Sequence, residues 1–151
     1  MQNIEDFKKS IGRKSRLLGV DPGKKRVGLA ISDEDKLVST PLKTIIKKNN
    51  SDFIKEIREI IEENNVRGII VGNPINMDGS KGSSAQSAND FAKYLSNNVS
   101  VPVTMWDERL SSEGAFNLSK NLDVNTSKKV KKLDQNAASF ILQGAIDYIR
   151  R

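Results

Sequence analysis

Three carboxylates in this sequence occupy positions that packing alone does not explain. Asp21 ends an apolar run, Glu108 directly follows another, and Asp134 opens an otherwise apolar helical face. The three acids belong to separate predicted elements, so their ends can converge in the folded chain. Carboxylates in a group are a suitable cage for one or two Mg²⁺ ions, which bind a phosphodiester and lower the pKa of an attacking water. These acids are therefore candidate catalytic and metal-ligating residues.

Each acid taken singly also has an ordinary structural explanation. Asp21 precedes Pro22 and Gly23 and suits a turn, while Glu108 can pair with Arg109 or a lysine. Asp134 can act as a helix N-cap that offsets the helix dipole. The metal site is favoured only because three such acids occur together.

The composition excludes several kinds of chemistry. The chain has 151 residues, no cysteine and no histidine. Disulfides, thiolate nucleophiles, the Ser-His-Asp triad and histidine-bound or cysteine-bound metals are therefore ruled out. An all-oxygen site suits a hard cation such as Mg²⁺ or Mn²⁺. No stretch approaches the roughly 20 apolar residues of a membrane span, so no membrane partner is expected.

The positive charge is concentrated in two segments. The formal net charge is +6, with net +5 in residues 1–26 and net +4 in residues 119–133. Such clustering is typical of a protein that meets a polyanion, although solvated lysines are an alternative explanation. The predicted contacts with a nucleic-acid backbone are Lys24, Lys25, Arg26, Lys128, Lys129, Lys131 and Lys132. Only eight residues are aromatic. Trp106 and Tyr94 are the ones expected to be exposed, so a base-stacking platform is not predicted.

The elements that must position these residues follow from the hydrophobic pattern. Residues 17–20 and 26–32 predict two strands joined as a hairpin, and residues 37–46, interrupted by Pro41, predict an edge or bulged strand. The apolar runs at 68–72 and 101–106 predict two further strands of the buried parallel kind.

Helical spacing separates these later strands. Helices are predicted from Ser51 or Asp52 to about residue 64, over residues 85–95, from about Ser111 or Ser112, and over the final apolar stripe that Asp134 opens. The predicted fold class is α/β, a mixed five-stranded sheet with an antiparallel meander followed by parallel βα units and helices on both faces. Residues 1–16 are predicted to be an extension, either a short amphipathic helix or a disordered tail, and residues 17–151 the main domain.

Four ordered motifs resemble the YqgF or RuvX family of Holliday-junction-resolvase-like proteins. They are VDPGKKRVGLAIS (20–32), IIVGNPINMDGSKG (69–82), DERLSS (107–112) and LDQNAASFILQ (133–143). The resemblance implies an RNase H-like fold, a cytoplasmic protein, metal-dependent phosphodiester hydrolysis, and 5′-end trimming of the small-subunit ribosomal RNA precursor.

Matched residue by residue, the family's acids correspond to Asp21, Glu108 and Asp134. Arg109, Ser111 and Ser112 lie beside Glu108 and could orient a phosphate, whereas Asp107 is the less suitable ligand of the DER motif. The sequence departs from the family at Asn73, where an apolar residue is expected, and in the length of the lead-in at residues 1–16.

The prediction is therefore a metal-dependent nuclease of structured RNA, working as a monomer or weak homodimer with Mg²⁺ or Mn²⁺. One alternative is a resolvase of four-way DNA junctions, which would need a symmetric dimer to cut both strands. Another is a non-catalytic RNA-binding factor of ribosome assembly. The hairpin glycines also suit an actin-like nucleotide-binding fold, but the chain is too short to supply two lobes.

Overall fold

Five strands form one mixed sheet in the order β3-β2-β1-β4-β5. The computed structural model describes residues 1–74, 82–108 and 127–150, apart from the side chains of residues 83–85 and 127–136. The strands are β1 (Arg16–Asp21), β2 (Arg26–Ser32), β3 (Ser39–Ile46), β4 (Val66–Asn73) and β5 (Val103–Asp107). β1, β2 and β3 pair antiparallel, whereas β1, β4 and β5 pair parallel. The predicted meander followed by parallel units is confirmed.

The third strand is the edge strand that its proline predicted. β3 pairs only with β2 in the described sheet, and the pairing shifts register between Leu29 and Ala30, where Ala30 faces Pro41. Proline cannot donate to the strand ladder, so an edge position with an irregular register accommodates it.

Four helices cover the sheet within the described ranges. They are α1 (Ile4–Ser10), α2 (Asn50–Glu63), α3 (Ser83–Asn98) and α4 (Ser127–Ile149). The predicted cap of α2 at Ser51 or Asp52 was wrong, because the side chain of Asn49 accepts the hydrogen bond from the Asp52 N–H at 2.8 Å. The helix predicted near Ser111 lies outside the described residues. None of the described helices has the length and apolar character needed to cross a membrane.

The last helix begins earlier than the apolar stripe predicted. α4 starts at Ser127, so the lysines at 128, 129, 131 and 132 belong to the helix instead of preceding it. Asp134 consequently lies about two turns inside α4, and the prediction that it opens the helix was wrong. The apolar stripe at 137–149 shows only the part of the helix that packs on the sheet, because the polar first turns carry no such signal.

Each face of the sheet has its own hydrophobic core. Alternate strand residues such as Leu18, Val20 and Ile69 pack with α2 and α3, and the intervening residues pack with α1 and α4. The residues of this second set on the strands are Leu17, Ala30, Ile70 and Trp106. This alternation is the period of a β-strand, and it decides to which face every side chain at a strand end belongs.

The first sixteen residues pack on the α4 face. Phe7 of α1 is fully buried, and a Cβ built on Gly68 of β4 would lie 2.7 Å from its ring. Gln2 forms a parallel bridge with Thr104 and accepts a hydrogen bond from the Thr104 hydroxyl at 2.9 Å. A seven-residue helix is marginal in water by itself, so these contacts stabilise α1. Of the two alternatives for this segment, the structure has the helix.

The turn between β2 and β3 is joined to the same segment by a buried lysine. Lys36 is 5% exposed, has φ +56°, and donates from Nζ to the carbonyls of Gly12 at 3.0 Å and Arg13 at 2.6 Å. Burial lowers the pKa of Lys36, and the nearby Asp35 and Asp33 oppose that shift. Asp33 accepts hydrogen bonds from the Leu37 and Val38 N–H groups, and chiefly the Val38 bond lowers its pKa.

Candidate active site at the carboxyl end of the parallel strands

Asp21 is the last residue of β1 and lies on the α4 side of the sheet. Val20 before it belongs to the core under α2 and α3, and Gly19 two residues before it contacts α4. Strand alternation therefore assigns Asp21 to the same side as Gly19. The residue is half-buried, and its backbone pairs with Gly28 of β2. Asp21 therefore lies at the edge of the sheet where β1, β4 and β5 all end.

Glu108 reaches the same edge from β5. It directly follows the strand, and its Oε1 lies 3.2 Å from the position that a Cβ on Gly72 would occupy. Gly72 is the penultimate residue of β4 and lies on the strand next to β1, one residue beyond the level at which Val71 pairs with Val20. The Glu108 carboxylate thus lies against the backbone of the strand that separates it from Asp21. Glycine at 72 leaves the space that this carboxylate occupies.

α4 approaches the sheet closely at two glycines. A Cβ on Gly19 would lie 2.7 Å from Leu142 Cβ and 3.1 Å from the Ala138 carbonyl oxygen, and one on Gly72 would lie 2.6 Å from Ile141 Cδ1. Cβ atoms are essentially never found below 3.0 Å from another heavy atom, so a side chain at Gly19 would have to displace α4, whereas one at Gly72 would first displace the end of the Ile141 side chain. The absence of side chains at Gly19 and Gly72 therefore allows α4 to pack closely against β1 and β4.

Asp134 is located by the helix backbone alone. It lies four residues, about one turn, before Ala138, whose carbonyl faces Gly19. Its side chain is outside the described part of the structure. α4 thus carries the third predicted acid within one turn of its contact with β1, and Asp21 lies two residues beyond that contact.

The donor set at this edge suits a hard divalent cation. Asp21 and Glu108 offer only oxygen ligands from one side of the sheet, which is the chemistry that Mg²⁺ and Mn²⁺ prefer. The described side chains contain no group of three acidic residues close enough to hold a metal, and Asp134 is not among them. The residues present fit such an ion with Asp134 as the candidate third ligand.

Asp107, the neighbouring acid, is assigned to the opposite face. Trp106 packs in the core under α4, whereas Val103 and Met105 pack under α2 and α3. Asp107 alternates with Trp106 and so belongs with Val103 and Met105. The structure therefore separates two adjacent carboxylates that the sequence could rank only by their motif.

The predicted basic contacts fall into three groups. Lys24 and Lys25 lie exposed in the turn between β1 and β2, and Arg26 begins β2 half-buried. The lysines of the second group are in α4, and their side chains are not described; they are Lys128, Lys129, Lys131 and Lys132. The third group, Arg109, Ser111 and Ser112, lies outside the described residues. Of the three groups, the structure therefore describes the side chains only of the hairpin cations, in the turn and strand that follow Asp21.

The structure contradicts one expectation about an individual residue and describes the surroundings of another. Trp106 was expected to be exposed, but it is 4% exposed, and its ring packs tilted against that of Tyr148 with the ring centroids 5.5 Å apart. Asn73, the departure from the family motif, ends β4, and its Oδ1 is buried without a hydrogen-bond partner among the described residues. Ser15 Oγ and Thr44 Oγ1, elsewhere in the fold, are also buried without a hydrogen-bond partner among the described residues.

Sequence reasoning missed a cluster on the α3 side of this edge. Lys47 follows β3, and its Nζ lies 5.7 Å from the ring centroid of Phe53 and 5.2 Å from that of Phe91. The Lys47 N–H also donates to the Lys25 carbonyl at 2.8 Å, which joins the end of β3 to the hairpin turn. Phe91 and Lys25 are far from Lys47 in sequence, so no local pattern predicts the cluster.

Solved structures with this architecture define the class of fold. The chain is similar to Thermus thermophilus RuvC in complex with a Holliday junction, with a TM-score of 0.57 and 14% identity over 90% of this chain and 95% of that one. It is also similar to the yeast mitochondrial Holliday-junction resolvase, with a TM-score of 0.51 and 12% identity over 97% and 84% of the two chains. The fold is the RNase H-like α/β fold of such resolvases.

Sequence similarity identifies the family within that class. The model of the RuvX family, described as Holliday junction resolvase, matches residues 15–148, and the chain belongs to this family. A protein of Pelagibacter ubique is 58% identical over 149 residues, 99% of each chain. One of Gluconacetobacter diazotrophicus is 40% identical over 146 residues, 96% of this chain and 95% of its own. Both carry the name "Putative pre-16S rRNA nuclease".

Proposed function

We propose that this protein is a metal-dependent nuclease that hydrolyses phosphodiester bonds of structured RNA and trims the 5′ end of the 16S rRNA precursor. The observation that carries the proposal is that the Glu108 carboxylate lies against Gly72 of β4, while Asp21 ends the neighbouring strand β1 one residue beyond the Val20–Val71 pair. The names of its relatives supply the substrate. The enzyme would act in the cytoplasm, where that precursor is made.

Asp21, Glu108 and Asp134 would hold Mg²⁺ or Mn²⁺ at this edge. When bound, such an ion lowers the pKa of an attacking water and stabilises the leaving oxygen. The chain has no histidine to serve as a general base. In the proposed site its carboxylates act as metal ligands, and Asp21 and Glu108 are held at the ends of β1 and β5, on either side of β4, which restricts their movement.

The basic residues would bind the RNA backbone without reading its sequence. Lys24, Lys25 and Arg26 directly follow the Asp21 edge, so a phosphate near Asp21 lies within the field of the hairpin cations. We assign the same role to Lys128, Lys129, Lys131 and Lys132 of α4. Arg109, Ser111 and Ser112 would orient the phosphate beside Glu108.

The decisive test compares cleavage of a labelled, structured precursor-rRNA fragment by the wild-type protein and by Asp21→Asn, with Mg²⁺ or Mn²⁺. Asp21→Asn should reduce the rate by about a thousandfold or more, because a metal ligand supplies several kcal/mol of transition-state stabilisation. Glu59→Gln, an exposed acid on α2, is the matched control and should cleave normally. Equal activity in Asp21→Asn would overturn the proposed site.

A second candidate function is resolution of four-way DNA junctions, which the description of the family model favours. The same assay therefore includes a labelled DNA junction. Cleavage of the junction alone would replace the RNA proposal with the resolvase, for which a symmetric dimer in solution is the further expectation. Metal-independent RNA binding by a folded protein that cleaves neither substrate would favour an assembly factor.

A further inference from the structure

A cavity lies across the hairpin from the carboxylates. It has a volume of about 340 Å³ and is lined by residues that include Pro22, Lys24, Lys47, Pro74, Ser87 and Phe91. Its lining begins at Pro22, the residue after Asp21, and includes the α3 residues Ser87 and Phe91. Asp21 is assigned to the α4 side, so this cavity and the carboxylate edge lie on opposite sides of the same turn.

The lining combines positive charge with flat apolar surface. Lys24 and Lys47 supply two ammonium groups, and no acidic residue is among the described lining residues. Pro22, Pro74 and Phe91 supply apolar surface, and Ser87 adds a hydroxyl. The volume is in the range of small-molecule pockets, roughly 300–1,000 Å³. A ligand of matching chemistry has an anionic group next to a flat ring.

Among the described residues, Lys47 is held in place without an anionic partner. Its Nζ lies near the rings of Phe91 and Phe53, at 5.2 and 5.7 Å, and these rings lie 5.5 Å apart. Cation–π contacts orient an ammonium but neutralise it less than a carboxylate would. In the described part of the chain no carboxylate forms an ion pair with Lys47. Its charge is therefore available to an anion in the cavity.

From these observations we infer that the cavity binds one nucleotide unit of an RNA strand, with its phosphate at Lys24 and Lys47 and its base against Phe91 and the prolines. The inference rests on the proposed function, because it takes the RNA that reaches the Asp21 edge as the source of the nucleotide. The bound nucleotide is not the one that is cleaved, since the carboxylates lie on the other side of the hairpin. The cavity would fix the path of the strand beyond the scissile phosphate.

Binding is measured separately from cleavage. The ¹⁵N-labelled Asp21→Asn protein is titrated, without divalent metal, with a single-stranded RNA hexamer, with adenosine 5′-monophosphate and with inorganic phosphate. The hexamer and the monophosphate should both shift the amide resonances of Lys24, Lys47 and Ser87. Shifts equally large with inorganic phosphate would overturn the nucleotide assignment, since the base would contribute nothing. Shifts with the monophosphate but not the hexamer would overturn the strand as its source.

Three variants in the same background test the cavity itself. Lys47→Met keeps the alkyl stem over the two rings and removes the charge, and it should weaken hexamer binding about tenfold, as expected for one charge-assisted contact. The slope of log K against log salt should become shallower by about 0.7. Ser87→Tyr keeps both lysines but fills the mouth of the cavity, and it should also weaken binding. Lys48→Met removes the same charge from the next, exposed residue and is the control.

The two proposals fail in different ways. Equal losses of hexamer affinity in Lys47→Met and Lys48→Met, or unchanged binding by Ser87→Tyr, would overturn the cavity as a binding site. Neither result would count against the proposed nuclease, which is tested by RNA cleavage. Cavity binding in a wild-type protein that cleaves no RNA would instead overturn the proposed nuclease and support the inferred nucleotide site.

Discussion

The two ends of the sheet are built differently. At the amino end of β1, side chains hold the backbone: Lys36 donates to Gly12 and Arg13, Asp33 accepts from its own turn, and Ser32 Oγ accepts the Leu17 N–H at 2.9 Å. At the carboxyl end, a glycine leaves space that a side chain would otherwise fill. Gly72 leaves room for the Glu108 carboxylate, and the cavity beside Pro22 lies across the turn.

This difference separates stability from chemistry within one small sheet. At the amino end, Lys36, Asp33 and Ser32 bond to nearby backbone groups, so these side chains are not available to a ligand. The carboxyl end gathers Asp21 and Glu108 on one side and the lysines of the cavity on the other. Ligands of open α/β sheets bind outside the carboxyl ends of the parallel strands, and both sites proposed for this chain follow that rule.

After that of Asp21→Asn, the largest expected effect distinguishes two adjacent acids at the carboxyl end of the parallel strands. Glu108→Gln should slow metal-dependent RNA cleavage by more than about a hundredfold, since even outer-shell partners of metal ligands are worth about 10- to 100-fold. Asp107→Asn should slow cleavage by less than about tenfold, below the effect of an outer-shell partner, because strand alternation assigns Asp107 to the other face of the sheet.

Rates are measured at saturating Mg²⁺ and Mn²⁺, with urea unfolding of both variants to confirm equal stability. If Asp107→Asn were the slower enzyme, the assignment of the two acids to opposite faces would be wrong, and with it the proposed metal site.

A smaller effect is expected where α4 meets the glycines. Gly19→Ala should lower the free energy of unfolding by about 1–3 kcal/mol, because the new methyl meets Leu142 Cβ and the Ala138 carbonyl, which cannot move without the helix. Gly72→Ala meets Ile141 Cδ1 first, the end of a flexible side chain, so it should lose less stability. The RNA-cleavage rate of Gly72→Ala should fall further than its loss of stability explains, because Glu108 Oε1 lies 3.2 Å from the position of the new Cβ.

Urea unfolding and cleavage rates of both variants check this order. Adding Ile141→Val to Gly72→Ala removes the Cδ1 atom and should restore stability, although Ile→Val alone costs about 0.5–1.5 kcal/mol. A double variant as unstable as the sum of its parts would show that the contact with Ile141 Cδ1 is not what destabilises Gly72→Ala.

The smallest effect belongs to the amino end. Lys36→Met should lower the free energy of unfolding by about 1 kcal/mol at pH 7, since two carbonyls lose a charged donor while the cost of burying the ammonium disappears. RNA cleavage should not change, because the turn lies at the far end of β1.

The pH dependence of Lys36 has a definite sign. Burial lowers its pKa from the usual 10.5, so in the window between the lowered pKa and 10.5 the unfolded chain binds more protons than the folded chain. The stability of the wild type relative to Lys36→Met should therefore increase as the pH rises through that window. Unfolding curves at pH 7 and in the alkaline range test this, and a difference that shrinks with pH would contradict the burial argument.

Local pattern predicted most of the architecture. The bounds of β2 were predicted to the residue, and Pro41 correctly indicated an edge strand, because side-chain alternation and backbone donors are properties of neighbouring residues. The start of α4 and the cap of α2 were missed. Polar helical turns and competing Asn, Ser and Asp caps are nearly degenerate in local energy, so packing and geometry decided them.

The sequence by itself determined which groups could do chemistry here: carboxylates without histidine or cysteine, at the ends of buried strands. Only the tertiary structure decided their arrangement. It placed Glu108 against Gly72, assigned Asp107 to the other face and joined Lys47 to Phe91 and Pro22 around a cavity. The physical reason is that these contacts join residues far apart along the chain, and their geometry depends on strand register and on how closely α4 can approach two glycines.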